Sequence, residues 1–243
     1  MTLATIAEAV FDEVQINRET AIVGNTRPSA RRLLRYANRV GLQLSRDWNW
    51  QALRREQTFT ATAGELQSTA LPSDFLRFVP GTFYDRTNDS LIVGPISPME
   101  WQALVTTGFS GVERRFIYRN GEIRVLPVFT GGEACAFEYI TNAWCQNASG
   151  TGQALFNADD DTARIDEELM TLAIASDWLQ SEGLPAGHVE SAFESRLKSL
   201  GRQDQATRRG LSAGDIFAPM GVSRHFNGQP PAFGAGGNLS WLW

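Results

Sequence analysis

RRLLRYANRVGLQLSRDWNWQALRREQTFT, residues 31 to 60, changes its apolar period part-way along. Up to Asp47 the apolar side chains Leu33, Ala37, Val40 and Leu44 return every three or four positions, the period of one helix face. After Trp48 and Trp50 the run Gln57-Thr58-Phe59-Thr60 alternates instead, the period of a half-buried strand. Everything earlier reads as helix, the residues that follow as strands, and helical spacing returns only near Arg164. The double switch predicts an α+β fold: an α-helical bundle from residues 1–54 and 160–208 with an antiparallel β domain, sandwich or rolled sheet, inserted at 56–142. A polar linker at 143–159 and an extended C-terminal arm at 209–243 complete the expected organisation. Trp48 and Trp50, at the switch, are expected at the junction, with at least one packed between the two parts.

Composition narrows the function classes. The 243 residues carry 22 Lys and Arg against 27 Asp and Glu, a net charge of -5 that argues against a dedicated nucleic-acid binder. No apolar run approaches the roughly 20 residues that span a bilayer, so no membrane is needed. The first residues, Met1-Thr2-Leu3-Ala4-Thr5, lack the basic and apolar regions of a signal peptide, and cytosolic synthesis is expected. In a reducing compartment Cys135 and Cys145 are expected as free core thiols on strands; their spacing alone leaves a disulfide open.

In chain order, Thr5 and Glu8 read as a capping box for a first helix with Ile6, Val10 and Val14 on one face, ended by Gly24-Asn25. A second helix starts near Thr26 with Pro28 in its first turn and runs to about Arg46. Arg31, Arg35 and Arg39 lie four residues apart and share one flank of it, either a solvated face or a contact for an acidic neighbour or passing DNA phosphates. In the β region, Ala63-Gly64-Glu65 is expected to turn the first strand back into a second over Leu66 to Leu71, stopped by Pro72-Ser73-Asp74, and residues 75–78 to form a helical turn or extended link. Residues 83–86 and 91–93 read as a hairpin, and Pro98 opens a small helix. Asn120-Gly121 between two alternating runs predicts a type I′ hairpin, because that turn needs positive φ at both positions. Residues 134–141 supply a last strand. Helices at about 164–182 and 185–208 follow as an αα-hairpin, the first packing through Leu169, Leu172, Ala173, Ser176 and Leu179.

Three motif matches fail on context. Gly210-Leu211-Ser212-Ala213-Gly214 fits a nucleophile elbow in letters, yet no strand precedes it and no helix follows. Asn157, Asp159, Asp161 and Glu168 fall at calcium-loop positions, but Thr162 stands where the sharp turn needs glycine, and acids near a helix start account for the cluster. Two histidines and two scattered cysteines do not make an ordinary zinc site. No catalytic residue, metal or cofactor is expected, and surfaces carry the function.

The order of these elements, with Asp47-Trp48-Asn49-Trp50-Gln51-Ala52-Leu53, Ala70-Leu71-Pro72-Ser73-Asp74-Phe75-Leu76-Arg77-Phe78, Ile96-Ser97-Pro98-Met99-Glu100-Trp101 and the Asn120-Gly121 hairpin, resembles the head-to-tail adaptors of short-tailed bacteriophages over residues 1–205. The resemblance implies a structural virion protein, assembled in the host cytoplasm, that forms a ring, usually of twelve copies, at the head-tail junction. It implies partners in the portal protein, a tail tube or nozzle protein and other copies of the chain, and packaged DNA passing without sequence specificity. The helical body would meet the portal and the β domain the tail. Two rivals stand beside it: a cell-wall hydrolase with paired carboxylates, and a carbohydrate-binding β-sandwich with Trp101, Tyr118 and Trp144 as stacking platforms or, alternatively, as core. The arm carries Phe217, Phe226, Phe233, Trp241, Leu242 and Trp243 among glycines and prolines, and is expected to order on the portal or a neighbouring subunit.

Overall fold

The computed structural model describes residues 2–68 and 70–206. From the N-terminus the order is α1 (Leu3–Glu13), α2 (Pro28–Asp47), a 3-10 turn (Gln51–Leu53), β1 (Arg54–Thr60), β2 (Gly64–Gln67), β3 (Phe75–Phe78), β4 (Tyr84–Asp85), β5 (Ser90–Leu91) and α3 (Pro98–Thr107). Then come β6 (Arg115–Arg119), β7 (Glu122–Phe129), β8 (Ala134–Thr141), β9 (Cys145–Gln146), β10 (Gly152–Gln153), β11 (Thr162–Ala163), α4 (Glu167–Ser181) and α5 (Gly187–Ala206). The α+β class is that of the sequence pattern: helices at both ends pack together, and antiparallel strands lie between them in the chain.

The helical body is built around α4, on which α1, α2 and α5 all pack. Its buried residues Leu169, Met170, Ile174, Ala175, Trp178 and Leu179 cover more than one face because neighbours approach from several sides. Leu172, Ala173 and Ser176, expected in the packed stripe, are only half-buried. Trp178 takes Phe11 of α1 and Tyr36 of α2 edge-on, with ring centroids 6.3 and 6.1 Å apart. α1 begins earlier than the Thr5-Glu8 box predicts. Thr2 is the N-cap and accepts from the Thr5 N–H, while the backbone N–H groups of Leu3 and Ala4 bond to the carbonyls of Asp161 and Asp159. Tertiary acceptors thus satisfy a helix start that a local box would otherwise serve.

β8 is the centre of the larger sheet. It pairs along one edge with β1, from Arg54↔Ile140 to Thr60↔Ala134, and along the other with β3 and β4, β5 closing the order. The second sheet, β2-β7-β6, faces it across an aromatic core in which Phe75, Phe78, Phe83 and Phe137 meet Phe116, Tyr118, Ile123 and Val125. Ile140 of β8 belongs instead to the helical core, with Leu76 and Val79 packed beside it, so the larger sheet is shared between two hydrophobic clusters.

Three local expectations are corrected. β1 does not fold back on β2: the seven-residue β1 finds a full-length partner in β8, and β2 joins β7. At the supposed turn, the Gln67 side chain accepts from the Thr62 N–H at 2.8 Å and donates to the Thr62 carbonyl at 2.9 Å, standing in for a strand. Residues 75–78 are a strand, because a register shift between Phe75 and Arg77 lets both phenylalanines reach the aromatic core, 5.9 Å from Tyr139 and 5.1 Å from Phe137. Residues 143–159 are no free linker: β9 pairs with β10 and β11, and Trp144 is fully buried, its ring 4.7 Å from that of Phe156. The Asn120-Gly121 turn is as read, with φ of 53° and 79° joining β6 to β7.

Candidate interaction surface

Pro28 at the first position starts α2, and Leu33, Ala37, Val40 and Leu44 fill its inner stripe. The opposite face is forced outward by the same 3.6-residue period, and it is basic: Arg31, Arg35, Arg39 and Arg46 are all exposed. Two neighbouring arginines are tied to α4. Arg32 pairs with Glu182 and lies 5.2 Å from the Trp178 ring centre; Arg39 reaches Asp177 at 2.6 Å and covers the Tyr36 ring at 4.8 Å. Arg31 and Arg35 have no ion pair among the described residues and border a shallow depression with Pro28, Arg32 and Tyr36. The row is therefore brought together as predicted, with Arg39 half committed and the other two open.

Arg77 of β3 forms the joint between the helical and β parts. Its Nη1 donates to the carbonyls of Ser45 and Arg46 at 3.0 and 2.7 Å, Nη2 to Trp48 O, and Nε and Nη2 to Asn49 Oδ1 at 3.0 and 2.9 Å. A cation from the sheet thus caps the negative end of α2. Burial pulls the guanidinium pKa down, and Asp47 opposes that shift. Alongside, Trp50 is buried and donates its Nε1–H to Leu44 O at 2.8 Å, while Trp48 stacks obliquely on it at 6.1 Å. The tryptophans mark the junction in the sequence; Arg77 belongs to no motif there, and its only signal is an arginine flanked by phenylalanines in a half-buried strand.

The acid cluster before α4 has a different task from the helix-start role expected of it. Asp159 accepts the Ile22 and Val23 N–H groups, and buried Asp161 accepts those of Asn157 and Ala158 at 2.6 and 2.9 Å. Asp166 is the true cap of α4; its carboxylate is held below the ordinary range by the Arg196 guanidinium at 2.7 Å. Among the described residues no three His, Cys, Asp or Glu side chains converge as a metal site would require. Cys135 and Cys145 are free and buried, each thiol pushed up to about 12 by desolvation. A buried Arg114–Asp85 pair, with Glu133 beside it, holds the loops at the end of the sheets and leaves no open carboxylate pair there.

Of the three possible stacking platforms, Trp101 and Trp144 are core, and Tyr118 is half-exposed at the edge of the aromatic cluster. α3 stands on Trp101 alone: a Ser97–Glu100 capping box starts it, and Met99, Val105 and, in the following loop, Val112 point into solvent. Phe217, Phe226, Phe233, Trp241, Leu242 and Trp243 lie outside the described residues, as does the Gly210–Gly214 motif.

A family model described as SU10 adaptor protein matches residues 1–215. No curated protein matches the chain.

Proposed function

The chain belongs to the SU10 adaptor protein family, and from that membership we propose that it is a structural protein of a bacteriophage virion, the head-to-tail adaptor that joins portal to tail. The family match carries this reading, since it spans the helical body and the β insertion together. In the proposed arrangement copies of the chain close into a ring, of twelve if it matches the portal's symmetry, beneath the portal and above a tail tube or nozzle protein. DNA passes through that ring without sequence readout, and assembly takes place in the host cytoplasm. The arm after residue 208, with Phe217, Phe226, Phe233, Trp241, Leu242 and Trp243, is the proposed anchor on the portal or a neighbouring subunit. The exposed row Arg31, Arg35 and Arg39 supports a contact with an acidic partner or DNA phosphates.

Electron microscopy of the full chain mixed with portal rings tests the reading directly. Extra density of fixed copy number on one face of the portal is expected. Absence of binding to portals together with turnover of purified peptidoglycan would replace it with the hydrolase reading.

A further inference from the structure

We infer that the α2 arginine row docks on the outer face of α1 in a second copy of this chain, making one repeated lateral contact. The inference rests on the adaptor reading only for the closure of that contact into a ring. α1 carries Glu8, Asp12 and Glu13 on its exposed side and no basic residue. α2 carries Arg31, Arg32, Arg35, Arg39 and Arg46 against a single acid, Asp47. Both helices pack on α4, and among the described residues no ion pair joins α1 to α2 within one copy. Two copies can pair the faces of opposite sign, and each pairing leaves one face of each sign free for the next.

The spacing agrees. Glu8 and Asp12 are four residues apart, as are Arg31 and Arg35, so both ladders have a pitch of about 6 Å. The groups without an ion pair face one another in this scheme: Arg31 and Arg35 have none among the described residues, and Glu8 has none although Arg18 is near enough to act on it. Asp12 also pairs with Arg18, which it would share with the facing row, and Glu13 lies 3.6 Å from His188 Nε2 at the edge of the contact. The surroundings of the row favour a protein occupant over nucleic acid. Glu182 and Asp177 take up Arg32 and Arg39, so Arg31 and Arg35 alone stay open, and two cations about one helical turn apart fit a pair of helical carboxylates better than a continuous phosphate chain.

Sedimentation equilibrium of the full chain at low and high salt tests this, with two double variants, Arg31→Glu/Arg35→Glu and Glu8→Arg/Asp12→Arg. Wild type is expected to self-associate more tightly at low salt, and each variant alone to associate about tenfold or more weakly. An equimolar mixture of the two variants should recover to within about threefold of wild type, because every contact then joins opposite charges again. Misfolding of either variant would not be rescued by mixing. Wild-type chains that stay monomeric at low salt, variants that associate like wild type, or a mixture without recovery would each overturn the inference. So would loss of binding to a labelled DNA duplex in Arg31→Glu/Arg35→Glu with self-association unchanged. Portal capture by the wild-type chain, measured separately, reports on the adaptor reading; salt-sensitive self-association without portal capture would sink that reading and leave this one standing.

Discussion

Replacing Arg77 by methionine keeps most of the stem and removes the guanidinium that joins β3 to the end of α2. Four acceptors lose their donor: the carbonyls of Ser45, Arg46 and Trp48 and the Asn49 side chain. Arg46 O is exposed and turns to water at little cost, whereas the other three contacts are partly buried and each is worth about 1 kcal/mol net. Losing the cation at the negative end of the helix adds roughly 0.3 to 1 kcal/mol, while relief of its burial acts in the opposite direction. The expected loss is about 3 kcal/mol. Arg77→Lys, a single point charge that serves one or two carbonyls at a time, should recover about 1 kcal/mol of it. Urea unfolding followed by the emission of Trp48 and Trp50, with the other five tryptophans replaced by phenylalanine, reads the joint itself, since these two lie beside it. Near-UV circular dichroism follows the aromatic core between the sheets in parallel. In wild type the two signals should coincide; in Arg77→Met they should separate, the helical end opening first. A stability change below about 0.5 kcal/mol with coincident transitions would refute the claim that this side chain couples the two cores.

Three further outcomes follow from the same geometry. Gly41→Ala places a Cβ 2.5 Å from three ring atoms of the fully buried Trp144, so despite alanine's helix preference of about 1 kcal/mol it should destabilise by roughly 2 to 3 kcal/mol net, readable by thermal melting; a neutral result would mean the ring has room to move. The Asp166 carboxylate lies below its ordinary 3.8 because of Arg196, so its pair stabilises the fold fully above that value and is lost as pH falls through the lower folded value. Asp166→Asn keeps a capping side chain, and should flatten the fall of stability below about pH 4; an unchanged acid limb shows that other carboxylates govern it. Deleting the residues after Gly210 should leave a folded, soluble body that no longer binds portal rings, with the Trp241→Ala/Trp243→Ala variant showing part of the defect. Portal binding as tight as that of the full chain would remove the arm as anchor.

What could be read in advance was whatever the chain dictates locally. The inner stripe of α2 depends only on the helical period, and Leu33, Ala37, Val40 and Leu44 are buried as their spacing requires. Asn120-Gly121 specifies its own turn, and the turn sets the β6–β7 register from Arg115↔Leu126 to Arg119↔Glu122. α3 also follows from local chemistry, with Ser97, Pro98 and Glu100 in their capping positions. The exposed arginine row was legible for the same reason, since four-residue spacing fixes a shared flank whatever the tertiary fold. Its division into open and committed members was not, because that depends on Glu182 and Asp177 of α4, some 140 to 150 residues away.

The errors lie where a distant partner overrides a local signal. Ala63-Gly64-Glu65 has turn chemistry, yet β1 ends before it and pairs with β8, which offers seven consecutive partners and a central place in the sheet where β2 has only four residues. Phe75-Leu76-Arg77-Phe78 has no clean alternation, since the register shift that makes it a strand also destroys its period of two. That same irregularity sends Phe75 and Phe78 into the aromatic core while Leu76 packs on the helical cluster and Arg77 reaches the end of α2. A regular strand would divide its four side chains two and two between its faces. The irregular one instead serves a core on each side and a polar clasp at the boundary, so the residue that best couples the helical and β parts sits in the stretch whose sequence pattern is hardest to read.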